Sequence, residues 1–249
     1  MNENQRHLNH IDTVNLGSYY TPKIIVDLVY SILQKNIPGI KNFTIIDSSC
    51  GYGSFLTKKN IAKKLVGADI DKKAIFEAKK RINDVNFIWQ NSLINVCRKN
   101  FGINNEEKLI AVGNPPYNDT TSIIRNSIKN VSVQDKIDSD IKTRDLGMSF
   151  LLSYDKLQAD YVCVLHPLSY LIKKANFALL SKFSQNYKLI DGIIISSHEF
   201  SATSRGMAFP ILIALYKRDR VGMTYNYIQN YQFKVKDDGL FRLRDFDTI

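Results

Sequence analysis

Cysteine is scarce in this 249-residue chain: Cys50, Cys97 and Cys163 are the only three, and no two form a CxxC pair. That excludes a disulfide framework and a zinc ribbon, and it fits a protein kept in a reducing cytoplasm. Long apolar runs are missing as well. Stretches such as 211–216 fall far short of the roughly 18 residues that a membrane span needs. The polar start, MNENQRHLNHID, offers neither a secretory signal nor an anchor. Glycine (12) and proline (6) are too few, and apolar residues at 44% too many, for a disordered chain. The four histidines (His7, His10, His166 and His198) do not cluster; His166, in VLHP, reads as a satisfied polar group at a strand end. The single tryptophan, Trp89, reads as core or as a wall of a cofactor pocket. Acidic residues are also short, with 24 Asp and Glu against 34 Lys and Arg and a net charge of +10. Such a surplus suits a polyanionic partner. No run of five or six basic residues occurs, so any binding face is assembled by folding.

Short continuous apolar runs alternate with helical patterns. Strands are expected at 43–47, 65–69, 86–89, 109–113, 161–165, 189–196 and 210–217, all reading as strands covered on both faces. Helices are expected at 23–33 (with Ile24, Ile25, Leu28, Val29, Ile32 and Leu33 inward, Thr21 capping and Pro22 opening), 72–82 behind an Asp71 cap, 145–157 and 169–183. This βαβ rhythm predicts an α/β domain with a mostly parallel sheet, and the last two strands, lacking a helix between them, predict an antiparallel strand. Residues 118–144 form the longest stretch without a core pattern.

Two motifs carry the chemistry. The first, FTIIDSSCGYGSFL at 43–56, is a strand followed by Asp47, a Gly51–Gly53 turn and an expected helix. Small residues there let backbone N–H groups approach a ligand. A dinucleotide fingerprint would want glycine where Leu56 stands, so a pyrophosphate cradle is not expected. Asp69, 22 residues after Asp47 at the next strand end, can accept both hydroxyls of a ribose, and Asp47 can meet a cationic group. A nucleoside with a positive centre and no diphosphate points to S-adenosylmethionine. The second motif is Asn114-Pro115-Pro116-Tyr117, directly after the fourth strand. The prolines fix the backbone and leave the Asn114 and Pro115 carbonyls free to face a cleft. Two acceptors, Asn114 Oδ1 and the Pro115 carbonyl, can draw a conjugated NH2 toward tetrahedral geometry, with no strong base needed before attack. Tyr117 would stack on the ring that bears the amine. Cys50 has no base partner nearby in sequence, which speaks against a nucleophilic role.

With these motifs in this order, the chain resembles the γ-class N6-adenine DNA methyltransferases, the group that includes type I modification subunits and type II amino-methyltransferases. The resemblance covers roughly residues 15–220. It rests on GSYYTP at 17–22, the glycine loop at 47–55, Gly67–Asp71 for the ribose, 90–93 for the adenine edge and 114–117 for catalysis. It implies a Rossmann-like class I S-adenosylmethionine-dependent fold: seven strands, mostly parallel, the last antiparallel. It also implies cofactor contacts from Tyr20, Thr21, Asp47, Cys50, Gly51, Gly53, Asp69, Ile70, Asn91, Ser92 and Asn114, and catalysis by Asn114, Pro115, Pro116 and Tyr117, with no metal. A flipped adenine needs a second face. The resemblance assigns it to Phe200, with Phe209 left to the core.

The departures are Ser48 and Ser49 where proline and alanine are usual, Tyr52 for a small residue, Asn91 for aspartate, and length. The catalytic domain is expected over 1–220, with its helical amino-terminal motif at 15–35, and a truncated or absent target-recognition region over 221–249. That implies weak, salt-sensitive DNA binding with little sequence preference, and specificity supplied by a partner subunit or a further carboxyl-terminal domain. The expected function is methylation of adenine N6 in DNA within a restriction-modification system. RNA base methylation and glutamine N5 methylation of a protein, which use the same tetrapeptide, are the rivals. A glutamine enzyme would carry a sizeable helical domain before the glycine loop, where this chain has 46 residues including YTP.

Overall fold

The computed structural model describes residues 21–117, 136–200 and 208–246. Its frame is a seven-stranded sheet of β1 (Thr44–Asp47), β2 (Lys64–Asp69), β3 (Val85–Trp89), β4 (Leu109–Gly113), β5 (Tyr161–Pro167), β6 (Tyr187–Ser196) and β7 (Pro210–Arg218), in the order β3-β2-β1-β4-β5-β7-β6. Pairings from β3 through β5 are parallel, and β7 runs antiparallel between β5 and β6. The expected sheet with its antiparallel last strand is therefore present, and all seven expected strands agree to within two residues.

Side chains explain the layers. Along β4 and in the middle of β5 every residue is buried, because helices cover both faces. One core cluster gathers Ile46, Val66, Leu109, Ala111, Val162 and Val164, the other Ile45, Leu65, Ile110, Val112, Cys163 and Leu165. Alternate residues of each strand thus serve opposite faces. Helix α1 (Lys23–Asn36) buries Ile25, Val26, Val29, Tyr30 and Leu33 in the second cluster. The inward stripe is rotated from the expected one, and Ile24 is exposed. Pro22, rather than Thr21, is the residue before the helix, and no side chain caps it; Thr21 is engaged at the site described below. Helix α2 (Lys72–Arg81) starts on the expected Asp71 cap, which accepts from the Lys73 and Ala74 amides. Helix α3 (Leu146–Lys156) starts likewise on Asp145.

One expectation is corrected. The helix read over 169–183 is three short ones, α4 (Ser169–Ile172), α5 (Lys174–Leu179) and α6 (Ser181–Asn186). The breaks at Lys173 and Leu180 let Leu171, Phe177, Leu180 and Phe183 all reach the core. After residue 220 the chain keeps to the same body. Helix α7 (Tyr225–Asn230) and the hairpin β8 (Phe233–Lys234) and β9 (Leu240–Phe241) place Ile228, Phe233 and Leu243 in the first cluster. Val235 bridges Ile194 and the Lys236 amide donates to the Ile194 carbonyl at 2.9 Å, so this segment covers the β6 edge that would otherwise be open.

Asp191 ties that cover down. Buried in β6 beside a bulge, it accepts from Lys234 at 2.5 Å, Asn36 at 2.9 Å, Lys35 at 3.1 Å and the Gly192 amide at 2.9 Å. Burial alone would raise its pKa, but these donors outweigh it and hold the carboxyl at about 2. A depressed carboxyl contributes stability above its unfolded pKa and loses it as pH falls toward the folded value. Asp191→Ala should therefore cost about 2 kcal/mol in urea unfolding at pH 7 and clearly less at pH 3. An equal loss at both pH values would show that the charge is not what matters.

Candidate active site

The site forms at the carboxyl ends of β1, β2 and β4, where the chain leaves β1 to one side and β4 lies on the other. In open α/β sheets such a switch point leaves a crevice for ligands. Asp47 closes β1 with 1% exposure, accepting from the Ser49 amide at 3.2 Å. Gly113 closes β4 with φ +148°, and a Cβ there would stand 2.8 Å from Asp47 Oδ1. Only glycine lets the two strand ends approach this closely.

The glycine loop is gripped from β2. The Cys50 amide donates to the Ala68 carbonyl at 3.0 Å and the Gly51 amide to Asp69 Oδ2 at 2.7 Å. Asp69 Oδ1 accepts from the Asp71 amide at 2.8 Å. Gly53, at φ +79°, sits where a Cβ would come 2.8 Å from Ile82. The helix expected after the loop is a single 3₁₀ turn, Ser54–Leu56. Residues 57–60, Thr-Lys-Lys-Asn, give it no apolar face, and Asn60 turns left-handed at φ 57°.

Next along the rim, the Gln90 amide donates to the Asp69 carbonyl at 3.0 Å, and Asn91 Oδ1 accepts from the Leu93 amide at 3.0 Å. Ser92 is buried, and its hydroxyl and that of Ser49 have no partner among the described residues. Ile70 is 42% exposed and takes the Trp89 indole N–H on its carbonyl at 3.0 Å. Trp89 is not core: it is 56% exposed, with the Lys72 ammonium 4.8 Å from its ring centre.

The tetrapeptide leaves β4 directly beside Asp47. Asn114 Nδ2 donates to Thr21 Oγ1 at 3.4 Å, while Asn114 Oδ1 is buried with no partner among the described residues. An amide oxygen withheld from both water and protein costs about 1–3 kcal/mol and points to a ligand donor. Tyr117 packs its ring edge-on to Phe209, with 6.4 Å between centroids and planes at 82°. The two candidate aromatics differ in exposure. Phe200, in the turn Ser197–Phe200, is 5% exposed within the second core cluster, whereas Phe209 is 40% exposed. Phe209 precedes Pro210 at the start of β7, and proximity to a strand was a poor guide to which way its ring turns. Tyr20, and most of the stretch 118–144, lie outside the described residues. The signal for Gly113 was its place before Asn114, and Ser92 lay in the expected cofactor set; for the Ser49 hydroxyl no sequence signal existed.

Charge in the crevice is set by burial. Asp47 is pushed up to about 8 by desolvation, with the neighbouring Asp69 charge adding to it. Burial raises Asp69 too, against the pull of the Asp71 and Gly51 amides. Burial and these two carboxylates also raise the Cys50 thiol well above its usual value, so it stays neutral and a poor nucleophile. His166, bonded through Nε2 to the Tyr216 hydroxyl at 2.7 Å, is held down at about 4 by burial. It is the satisfied strand histidine that was expected.

The fold is that of the class I methyltransferases. A subunit of a type I restriction-modification methyltransferase from Streptococcus thermophilus aligns with a TM-score of 0.57 at 15% identity, covering 93% of this chain and 49% of its own. A Listeria monocytogenes protein assigned as a class I S-adenosylmethionine-dependent methyltransferase aligns at 0.57 and 18% identity, over 80% and 61%. A dimethyladenosine transferase from Plasmodium falciparum aligns at 0.51 and 15%, over 81% and 63%. This chain thus spans about half the length of the restriction-modification subunit. No curated protein matches the sequence. The N-6 DNA methylase family model matches residues 6–185, and the chain belongs to that family. Among the described residues no helix is long and apolar enough to cross a membrane.

Asp47 gives a test that needs no ligand. Its folded pKa lies above the unfolded one, so the folded state binds the extra proton and stability falls as pH rises from about 4 toward about 8. Asp47→Asn should remove that fall, gaining on the wild type steadily across this window in denaturant melts. A constant difference between the two proteins would contradict the assigned pKa.

Proposed function

We propose that this protein transfers a methyl group from S-adenosylmethionine to the exocyclic N6 of an adenine in DNA, as the catalytic part of a restriction-modification system. The observation that carries the reading is the buried, unpartnered Asn114 Oδ1 at the switch point. The crevice fits the cofactor. Asp69 has lone pairs left for ribose hydroxyls. The Ser49 and Ser92 hydroxyls lack partners. Leu56, buried at 1% against Gly67, stands where a dinucleotide fingerprint wants its third glycine for helix–strand packing, so that fingerprint is incomplete. Thr21 and Tyr20, Asp47, Cys50, Gly51 and Gly53, Asp69 and Ile70, and Asn91 and Ser92 are the residues that would hold it, and a positive charge beside Asp47 would favour its ionised form. Bound there, the cofactor supplies an electrophilic methyl group.

The protein's part is positioning. Thr21 holds the Asn114 amide so that Oδ1 is presented to an incoming N–H, and the rigid Pro115 offers its carbonyl to the second. With both hydrogens engaged, the lone pair of the amine leaves conjugation and faces the methyl group. Breaking the sulfonium–methyl bond would leave a neutral thioether, and the N6 proton held by Asn114 Oδ1 or the Pro115 carbonyl would pass to water after the new bond forms, so no base of high pKa is required. Tyr117 and Phe209 flank the purine. The net charge of +10 suits a polyphosphate partner, and the likeness to the longer restriction-modification subunit supports a specificity subunit or further domain as the reader of neighbouring bases.

Labelled S-adenosylmethionine offered with DNA, RNA or a translation release factor tests the substrate class, with label expected in DNA adenine. On that substrate Asn114→Ala should lower turnover by about 10²–10³ with cofactor affinity retained, and wild-type turnover would refute the mechanism.

The two phenylalanines separate cleanly. Phe209→Ala should lower kcat/KM about tenfold or more, the scale of one base–aromatic stack, at little cost in stability. Phe200→Ala should instead cost about 3–5 kcal/mol of folding stability. The opposite outcome would return the base-stacking role to Phe200.

A further inference from the structure

A line of buried polar and aromatic contacts runs from the middle of the sheet to the underside of Tyr117. On β7 the Tyr216 hydroxyl meets His166 Nε2 of β5 at 2.7 Å. The His166 ring lies flat on Tyr170 of α4, 5.2 Å between centroids and 6° between planes. The Tyr170 hydroxyl donates to Asp145 Oδ1. The same carboxylate oxygen takes the Gly147 amide at 2.9 Å and the Met148 amide at 3.3 Å, so it caps α3. At Gly147 the line reaches the tetrapeptide: a Cβ there would stand 3.1 Å from Tyr117 Cβ and 2.5 Å from the Tyr170 hydroxyl. Gly147 thus brings the first turn of α3 into direct contact with Tyr117.

None of these residues faces the crevice chemistry, yet each is costly to keep. Tyr216 and His166 are buried at 0% and 1%, Tyr170 at 2%, and buried polar groups are tolerated only when fully paired. Capping α3 needs Asp145 alone. The Tyr170 hydroxyl adds nothing to the cap, but it fixes where the capped turn sits relative to the sheet, and so where Gly147 presses on Tyr117. We propose that Asp145 and Tyr170 are a positioning pair for Tyr117, holding its ring where the substrate base is to stack; this rests on the adenine-methylation reading above. His166 and Tyr216 anchor the pair to the sheet, and Gly147 is the contact through which it acts.

Tyr170→Phe removes one hydroxyl while keeping the ring on His166 and the cap on α3. It should leave cofactor affinity within about twofold, lower kcat on DNA about five- to fiftyfold, the range of one lost charge-assisted hydrogen bond, and reduce the emission of a 2-aminopurine placed at the target position. Asp145→Asn, whose amide oxygen still caps and still accepts, should keep most of the activity, and Asp145→Ala should not. In a crystal structure of Tyr170→Phe the Tyr117 ring should be displaced or split between orientations. Wild-type kcat and probe emission in a folded Tyr170→Phe, or an unmoved Tyr117, would overturn the pair's role. Absence of DNA methylation by the wild type would instead defeat the adenine reading, and the Tyr117 orientation would still judge the pair.

Discussion

The contact between Gly113 and Asp47 is the constraint on which the rest of this site depends. Two neighbouring parallel strands end side by side, one in a buried carboxyl and the other in the residue before Asn114. With 2.8 Å between a hypothetical Gly113 Cβ and Asp47 Oδ1, any side chain at 113 would wedge the strands apart. It would separate the glycine loop from Asn114. What lies on either side follows from that closeness. The loop is held from β2 by Asp69, and the tetrapeptide is held by Thr21, just ahead of α1, and from α3 by Gly147. The crevice between them is lined by Asp47, Asp69 and an Asn114 Oδ1 that has no partner among the described residues.

These groups cost folding free energy. Carboxyls with raised pKa values at Asp47 and Asp69, and an amide oxygen and two hydroxyls without partners among the described residues, gather at the carboxyl ends of the strands. Each is a group that a cationic nucleoside or an amine could satisfy, and each costs folding free energy until that happens. The offset comes from elsewhere. Continuous burial along the central strands, the Asp191 cluster that joins α1, β6 and β8, and the carboxyl-terminal segment sealing the β6 edge belong to the scaffold and not to the site. The candidate site sits at the carboxyl ends of central strands, while the Asp191 cluster lies at the β6 edge.

Much of this was legible in the residues. Strand positions followed from short apolar runs, and the site motifs from residue types that tolerate few substitutes: glycine at Gly51 and Gly53, acids at Asp47 and Asp69, the paired prolines. What escaped was orientation. Ile24 and Val26 are both apolar, and only packing decides which of them faces the sheet. Phe200 and Phe209 are both aromatic and close to a strand, and their exposures are the reverse of what position suggested. Trp89 ends an edge strand, where one side has no neighbour to bury it. The segment after residue 220 reads as a new module because its composition shifts toward Tyr, Asn and Gln. Its few apolar residues, Ile228, Phe233 and Leu243, are enough to join it to the core.

The central claim is that Asn114 Oδ1 is kept free for the amine of a flipped adenine. A crystal structure with adenine-containing duplex DNA and an unreactive S-adenosylmethionine analogue tests it most directly. The account predicts N6 within hydrogen-bonding distance, about 3 Å, of both Asn114 Oδ1 and the Pro115 carbonyl, with the purine stacked on Tyr117. An Asn114 Oδ1 satisfied by the protein itself, or an adenine left in the duplex with the cofactor site filled, would contradict it.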